Sequence, residues 1–235
     1  MYNISLTQNL IEEHQKRLAQ LSKLNTNYIS ALVNSNSWDE KKDTRVLYFV
    51  FNREILQSYY LITLARKEFF PTLDLWNKQK YNTDEEKHKF INDRLFHFDE
   101  EMKSGLFLKF FVNLETCARL IGEKINVADN SIKNLLCKLI QKAGVNIDYE
   151  ELVKIYAFSR NTIHNGGFHC KPSVSISYKG KNFDFEVSKP INFLDWNCVF
   201  FLIEETNTFF YELVLQHEIS KHNIMEHSYS KIVFK

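Results

Sequence analysis

The chain has 235 residues, of which 44% are hydrophobic and 25% are charged, and its formal net charge is +1. This balance is typical of a folded globular protein and excludes a strongly basic coat for nucleic acid, so any contact with RNA has to depend on a local patch. The 4 cysteines lie far apart without Cys-x-x-Cys spacing, which argues against a zinc site and against a disulfide scaffold. We expect reduced thiols, no cofactor, no metal, a cytoplasmic location and no membrane span.

Helical periodicity dominates the first part of the chain. Apolar side chains recur every three or four residues through residues 6–32 and again through residues 44–67, which predicts two long helices. An Asn- and Ser-rich stretch, residues 34–37, separates them, and Pro71 is expected to end the second helix. The polar segment 77–89 is predicted to be a mobile part of the surface.

The middle of the chain continues with further helices. One short helix is predicted to open at Asp84, and a longer helix with a broad apolar face is predicted for residues 100–124. Asp129 or Asn130 is expected to cap the next short helix, which Gly144 ends. Short polar side chains satisfy the first N–H groups of a helix, and glycine adopts the left-handed conformation that follows a helix end.

The last third of the chain combines two helices with a change of period. A helix is predicted for residues 148–164, and alternating apolar side chains around a Lys-Gly turn predict a β-hairpin at residues 173–187, with its apolar face on the helices. The final helix, residues 192–220, is rich in aromatic side chains, which is typical of a central helix or of one covered by a second subunit. The whole chain, residues 1–235, is therefore predicted to be one all-α domain, a helical bundle with one inserted β-hairpin.

The end of the helix at residues 148–164 carries the main candidate site. Arg160 and His164 are four residues apart, so they lie on one helical face with Cβ atoms roughly 5–6 Å apart. An arginine can bind phosphate and a histidine can transfer protons, so the pair fits a site that cleaves RNA or binds a nucleotide. The same pair also fits an ordinary helix end, where cations stabilise the negative end of the helix dipole.

Residues 160–165, with the sequence Arg-Asn-Thr-Ile-His-Asn, resemble the signature of the HEPN superfamily, the all-helical domains of prokaryotic defence and toxin ribonucleases. The resemblance covers about six residues, and the spacer of three residues between the arginine and the histidine is shorter than the family's usual four to six. It implies a metal-independent endoribonuclease, a toxin or antiviral defence effector, with Arg160, Asn161 and His164 as catalytic residues. It also implies a homodimer in which the motifs of two protomers form a composite site.

Two further residues are candidate substrate contacts. Asn165 ends the motif, and His169, just beyond two glycines, is an alternative second histidine. Transesterification at a ribose 2′-hydroxyl needs a base, an acid and positive charge against the phosphate. One arginine and one histidine in each chain supply too few of these groups, which is a physical reason to expect a symmetric dimer.

A non-catalytic function is the main alternative. A dimeric helical module that binds nucleotide, RNA or a protein partner, such as an antitoxin or a sensor, fits the same residues. The two hypotheses differ in one structural expectation, because in an enzyme Arg160 and His164 of both subunits line a single open, positively charged cleft.

Other charged pairs and histidines are weaker candidates. Glu115 and Arg119 have the i, i+4 spacing of an ordinary surface ion pair, and they are alternatively a support for the motif helix. His217, His222 and His227 recur every five residues, which places them on different faces of a helix and argues against a metal site.

Overall fold

The computed structural model describes residues 4–68 and 79–227, and side chains in the first helix from residue 9 onward. Within these ranges the chain folds into helices and one antiparallel hairpin, which confirms the predicted all-α bundle with an inserted hairpin. The elements are α1 (Ile4–Asn36), α2 (Thr44–Glu68), α3 (Asp84–Lys124), α4 (Ile132–Ala143), α5 (Tyr149–His164), β1 (Val174–Tyr178), β2 (Lys181–Phe185), α6 (Trp196–Leu215) and α7 (His217–Ser220).

The two long helices that the periodicity predicted form an antiparallel pair. Lys67 in the last turn of α2 forms an ion pair with Glu12 near the start of α1, with 2.8 Å between Nζ and Oε1. Leu18 of α1 and Leu56 of α2 are fully buried in the core. The predicted end of the second helix at Pro71 lies outside the described residues.

A single helix, α3, replaces the two helices that were predicted for its region. It is 41 residues long, whereas a short helix and a separate helix from residue 100 were expected. Thr83 caps its start by accepting a hydrogen bond from the backbone N–H of Glu86 at 3.1 Å. No proline interrupts this stretch, which allows one continuous helix. The segment 77–89, which was predicted to be mobile surface, is helical over its last six residues.

The hairpin forms at the predicted place and in a register that its turn explains. Val174 lies opposite Phe185, and the turn residues Lys179 and Gly180 have φ angles of 46° and 73°. Positive φ at both positions is the type I′ geometry that matches the twist of two-residue hairpins. Val174 stays 36% exposed. The other apolar side chains of the two strands are buried against the helices, as expected: Ile176, Tyr178, Phe183 and Phe185.

The aromatic helix α6 is the central helix of the bundle. It contacts α1, α3, α5 and α7, and its buried side chains cover about half of its circumference. Asp195 caps its start by accepting a hydrogen bond from the backbone N–H of Cys198 at 2.7 Å. Extended backbone at Gln216 ends it, so the continuous helix expected for residues 192–220 is wrong. The aromatic side chains of α6 lie in the core or pack against it, so they do not by themselves require the expected homodimer.

Candidate functional site

The motif helix α5 is fixed against α3 by stacked aromatic rings. The ring of Tyr156 stacks on those of Phe107 and Phe111, with centroid distances of 4.7 and 6.0 Å. Gly166 and Gly167 follow the helix with φ angles of 69° and 90°, a conformation that favours glycine and turns the chain away from the helix. The last turns of α5 therefore lie at the edge of the core, where one side of the helix faces solvent.

Arg160 and Asn161 line a groove of about 710 Å³, which we call the first groove. Its walls come from α3, the start of α4, the last turns of α5 and the beginning of the hairpin, so four separate segments meet there. The segments on either side of α5 are residues 130–134 and residues 171–174.

Positive charge dominates the first groove. Four cations line it, Arg119, Lys133, Arg160 and Lys171, and the one carboxylate of its lining is that of Glu115. This carboxylate is already paired, because its Oε1 accepts hydrogen bonds from Arg119 Nη2 at 2.8 Å and Nε at 3.1 Å. The other three cations form no ion pair with the described residues, so the groove has excess positive charge.

The start of α4 adds backbone donors to the same wall. Ser131 caps the helix, and its hydroxyl accepts a hydrogen bond from the backbone N–H of Asn134 at 3.5 Å. The N–H groups of the first turn have no partner within the helix, and the positive end of the helix dipole lies here. A groove with these donors and three available cations is suited to bind phosphate.

Arg119 holds the loop that leads into α4. In addition to its ion pair with Glu115, its guanidinium donates hydrogen bonds to the backbone carbonyls of Asp129 at 3.1 Å and Asn130 at 3.2 Å. The pair is therefore more than a surface ion pair, but the element that it supports is α4 and not the motif helix. These bonds position the first turn of α4 in the groove wall.

Arg160 keeps most of its donors available to a ligand. Its Nη1 donates a hydrogen bond to Oδ1 of Asn161 at 3.2 Å, and its guanidinium lies 5.8 Å from the ring centroid of Phe111. Its remaining N–H groups have no hydrogen-bond partner among the described residues. Asn161 thus orients the arginine, and the ring of Phe111 lies beside its guanidinium.

His164 faces a different groove. Its exposed side chain lines a second groove of about 650 Å³, together with residues of α2 and α3, among them Lys109 and Val112, and with His227. Arg160 and His164 are one helical turn apart, yet each lines its own groove. Within one chain, the two side chains do not share the single cleft that was expected for an enzyme.

His169 is buried, although it was expected to contact substrate or solvent. It is 1% exposed and packs against the rings of Phe158 and Phe185. Its Nε2 lies 3.3 Å from the carbonyl oxygen of Pro172, and its Nδ1 lies 3.3 Å from Oγ1 of Thr162. Because a carbonyl can only accept, Nε2 carries the proton and Nδ1 accepts from the hydroxyl. His169 therefore anchors the loop between α5 and β1 and is not a ligand contact.

The remaining candidates lie outside the first groove. Asn165 is exposed at the end of α5, where its backbone N–H donates to the carbonyl of Asn161 at 3.0 Å.

In the described part of the chain, no group of three or more His, Cys, Asp or Glu side chains is placed to hold a metal ion. None of the described helices has both the length and the apolar character needed to cross a membrane.

Two cations of the first groove, Lys133 and Lys171, were not among the residues predicted from sequence. A weak signal existed for Lys133, because it lies in the first turn of α4 and that turn contains no acidic residue. A cation at this position lies beside the positive end of the helix dipole, which is unfavourable. A bound anion is one way to offset this repulsion. Lys171 has no such signal, since only the path of the loop brings it beside α5.

No protein-family model, curated protein or solved structure matches this chain. The resemblance to the HEPN superfamily therefore rests on residues 160–165 and on the helical plan around them. The structure adds the location of this motif, at the end of a helix and beside a cationic groove.

Proposed function

We propose that the chain is an RNA-binding helical module whose first groove holds phosphates of a single strand. One observation carries the proposal. Lys133, Arg160 and Lys171 come from three different segments and meet in one groove whose only lining carboxylate is already paired. The net charge of the chain is only +1, so this local excess of positive charge is the feature that would attract a polyanion.

The size of the groove and the motif favour a strand over a single phosphate. A volume of about 710 Å³ is in the range of pockets that hold whole organic ligands, and is therefore larger than one phosphate needs. The resemblance of residues 160–165 to HEPN ribonucleases favours RNA over a free nucleotide as the source of these phosphates.

Binding of a labelled single-stranded RNA to the Arg160→Gln variant tests the proposal. We expect affinity to fall by about 10- to 100-fold, because a charge-assisted hydrogen bond to phosphate contributes about 1.5–3 kcal/mol. Arg94→Gln is the matched control, since Arg94 is also on a helix with its guanidinium over a phenylalanine ring, at 5.0 Å from the centroid of Phe90. Equal affinities of the two variants, measured by fluorescence anisotropy, would contradict the proposal.

A second candidate function is metal-independent RNA cleavage by a homodimer. It is favoured by one observation, that His164 is exposed, has no hydrogen-bond partner among the described residues and follows Arg160 by one turn. In this proposal, His164 of two chains supplies the acid and the base that one chain lacks. A role as a toxin or defence effector, with an antitoxin or sensor partner, belongs to this second proposal and rests on the resemblance alone.

Product analysis distinguishes cleavage from binding. We expect cleavage that survives EDTA and leaves 2′,3′-cyclic phosphate ends, and His164→Ala should lower its rate at least about 10²-fold while RNA binding persists. A protein that is monomeric by light scattering at micromolar concentration, or that leaves RNA intact, would exclude this second candidate and leave the binding function standing.

A further inference from the structure

The second groove differs in character from the first. Its walls are mainly apolar, from Phe51 and Ile55 of α2 and from Leu108 and Val112 of α3. Val112 is 59% exposed, which is a large fraction for an apolar side chain in the middle of a helix. A cleft of about 650 Å³ with such walls can accept the flat face of a ring.

The two grooves are adjacent because α3 and α5 contribute to both. On α3, Phe111 lines the first groove and the next residue, Val112, lines the second. On α5, Arg160 lines the first groove and His164, one turn later, lines the second. A ligand that leaves the first groove beside the end of α5 therefore reaches the second groove after one helical turn.

The polar groups of the second groove suit a strand that arrives from the first. Lys109 and His164 lie among its apolar walls, together with one carboxylate, that of Glu54. A lysine and an imidazole beside an apolar cleft can contact a sugar-phosphate while the cleft covers a base. Stacking of a base on an aromatic ring, here that of Phe51, contributes about 1–3 kcal/mol in proteins that bind single strands.

We propose that the second groove binds a nucleobase of the same RNA strand whose phosphates lie in the first groove. The strand crosses the last turn of α5 beside His164. This inference rests on the proposed RNA-binding function and adds the path of the strand and the chemistry of a second subsite.

The affinities of a short and a long ligand test this path. The probes are a uridine dinucleotide with phosphates at both ends, which fills the first groove alone, and a uridine octanucleotide, which reaches both grooves. We expect Val112→Asp to weaken the octanucleotide about tenfold and to leave the dinucleotide unchanged, because the new carboxylate repels a strand only in the second groove. Leu61→Asp is the matched control, since Leu61 is 62% exposed in the middle of α2 and lines neither groove.

Each other outcome overturns the inference in a recognisable way. An unchanged octanucleotide affinity in Val112→Asp means that no base occupies the second groove, whereas an equal loss for both ligands means that the substitution disturbs the first groove. A shift from dimer to monomer in light scattering, without loss of RNA affinity, assigns the second groove to a contact between two copies of the chain. If neither ligand binds the parent protein, the RNA-binding function itself fails, and Arg160→Gln then has no effect either.

Discussion

At the residue scale, burial separates the roles of histidines that look alike in the sequence. His164 is exposed at the end of α5, whereas His169, five residues later, has both ring nitrogens in hydrogen bonds within the fold. The sequence could locate both residues but not their burial, because the rings that cover His169 come from Phe158 and Phe185, on opposite sides of it in the chain.

Replacing His169 should affect stability first. We expect His169→Ala to lower the free energy of unfolding by about 2–4 kcal/mol, because it removes two hydrogen bonds and the packing of a buried ring. His164→Ala is the control. It should change this free energy by less than about 0.5 kcal/mol, because substitutions of exposed side chains usually have small effects on stability. Urea denaturation of both variants measures the difference, and a loss no larger for His169→Ala than for His164→Ala would show that His169 is not an anchor.

A second buried histidine makes stability depend on pH. The ring of His14 lies 4.7 Å from that of Trp196 and 5.8 Å from that of Phe200, measured between centroids. Burial lowers the pKa of His14 from its ordinary 6.5 to about 4, and the charge of Arg66 lowers it further in the same direction. The folded state therefore binds fewer protons than the unfolded state between these two values.

Because the unfolded state takes up this proton and the folded state does not, the free energy of unfolding should fall as pH decreases from about 6.5 to about 4. We expect His14→Leu, which keeps an apolar side chain of similar size, to lose that part of the pH dependence. Groups that titrate in both proteins cancel in the comparison, so the difference in unfolding free energy at about pH 7 and about pH 4.5 isolates His14. A difference that does not change with pH would contradict the assigned pKa.

At the element scale, the sequence was most informative where a local signal decides the structure. The hairpin could be predicted from alternating apolar residues and a turn that tolerates positive φ. The helices α1 and α2 could be predicted from the recurrence of apolar residues every three or four positions. The start of α4 was less predictable, because Asp129, Asn130 and Ser131 are all good capping residues. The expected cap at Asp129 or Asn130 was wrong: Ser131 caps the helix, and Arg119 binds the carbonyls of the two preceding residues in the loop. That contact joins α3 to the loop and is invisible to a local pattern.

Two glycines of α3 should respond differently to the same substitution. A Cβ on Gly122 would lie 2.5 Å from the carbonyl oxygen of Val127 and 3.1 Å from Cδ1 of Leu135, where α3 meets the backbone before α4. We expect Gly122→Ala to destabilise the protein by about 1–3 kcal/mol, because backbone has to move. Thermal unfolding measures the change as a lower midpoint temperature.

Gly105→Ala is the control within the same helix. A Cβ there would lie 2.7 Å from the hydroxyl of Tyr59, which is the far end of a side chain and not backbone, so a smaller shift relieves the contact than at Gly122. Alanine is also the better helix former by about 1 kcal/mol, so the net change should be close to zero or stabilising. An equal loss of stability in both variants would show that the contact of α3 with Val127 is not specifically tight.

At the scale of the whole molecule, the site is an assembly of segments that the sequence keeps apart. The motif at residues 160–165 identified Arg160 and Asn161, but Lys133 and Lys171 enter the first groove only because α4 and the hairpin pack on either side of α5. The sequence therefore predicted the bundle, and the motif named two residues that line the first groove, but it could not predict the other cations or the division of Arg160 and His164 between two grooves. Such features depend on tertiary packing and not on local spacing.

The salt dependence of RNA binding tests the first groove most directly. Each phosphate that a cation neutralises on a single strand adds about 0.7 to the slope of log affinity against log salt. We expect that replacing Lys133, Arg160 and Lys171 together by glutamine lowers the magnitude of this slope by about 2, because three phosphate contacts are lost. A triple variant that keeps the slope and the affinity of the parent protein would show that RNA phosphates do not lie in the first groove.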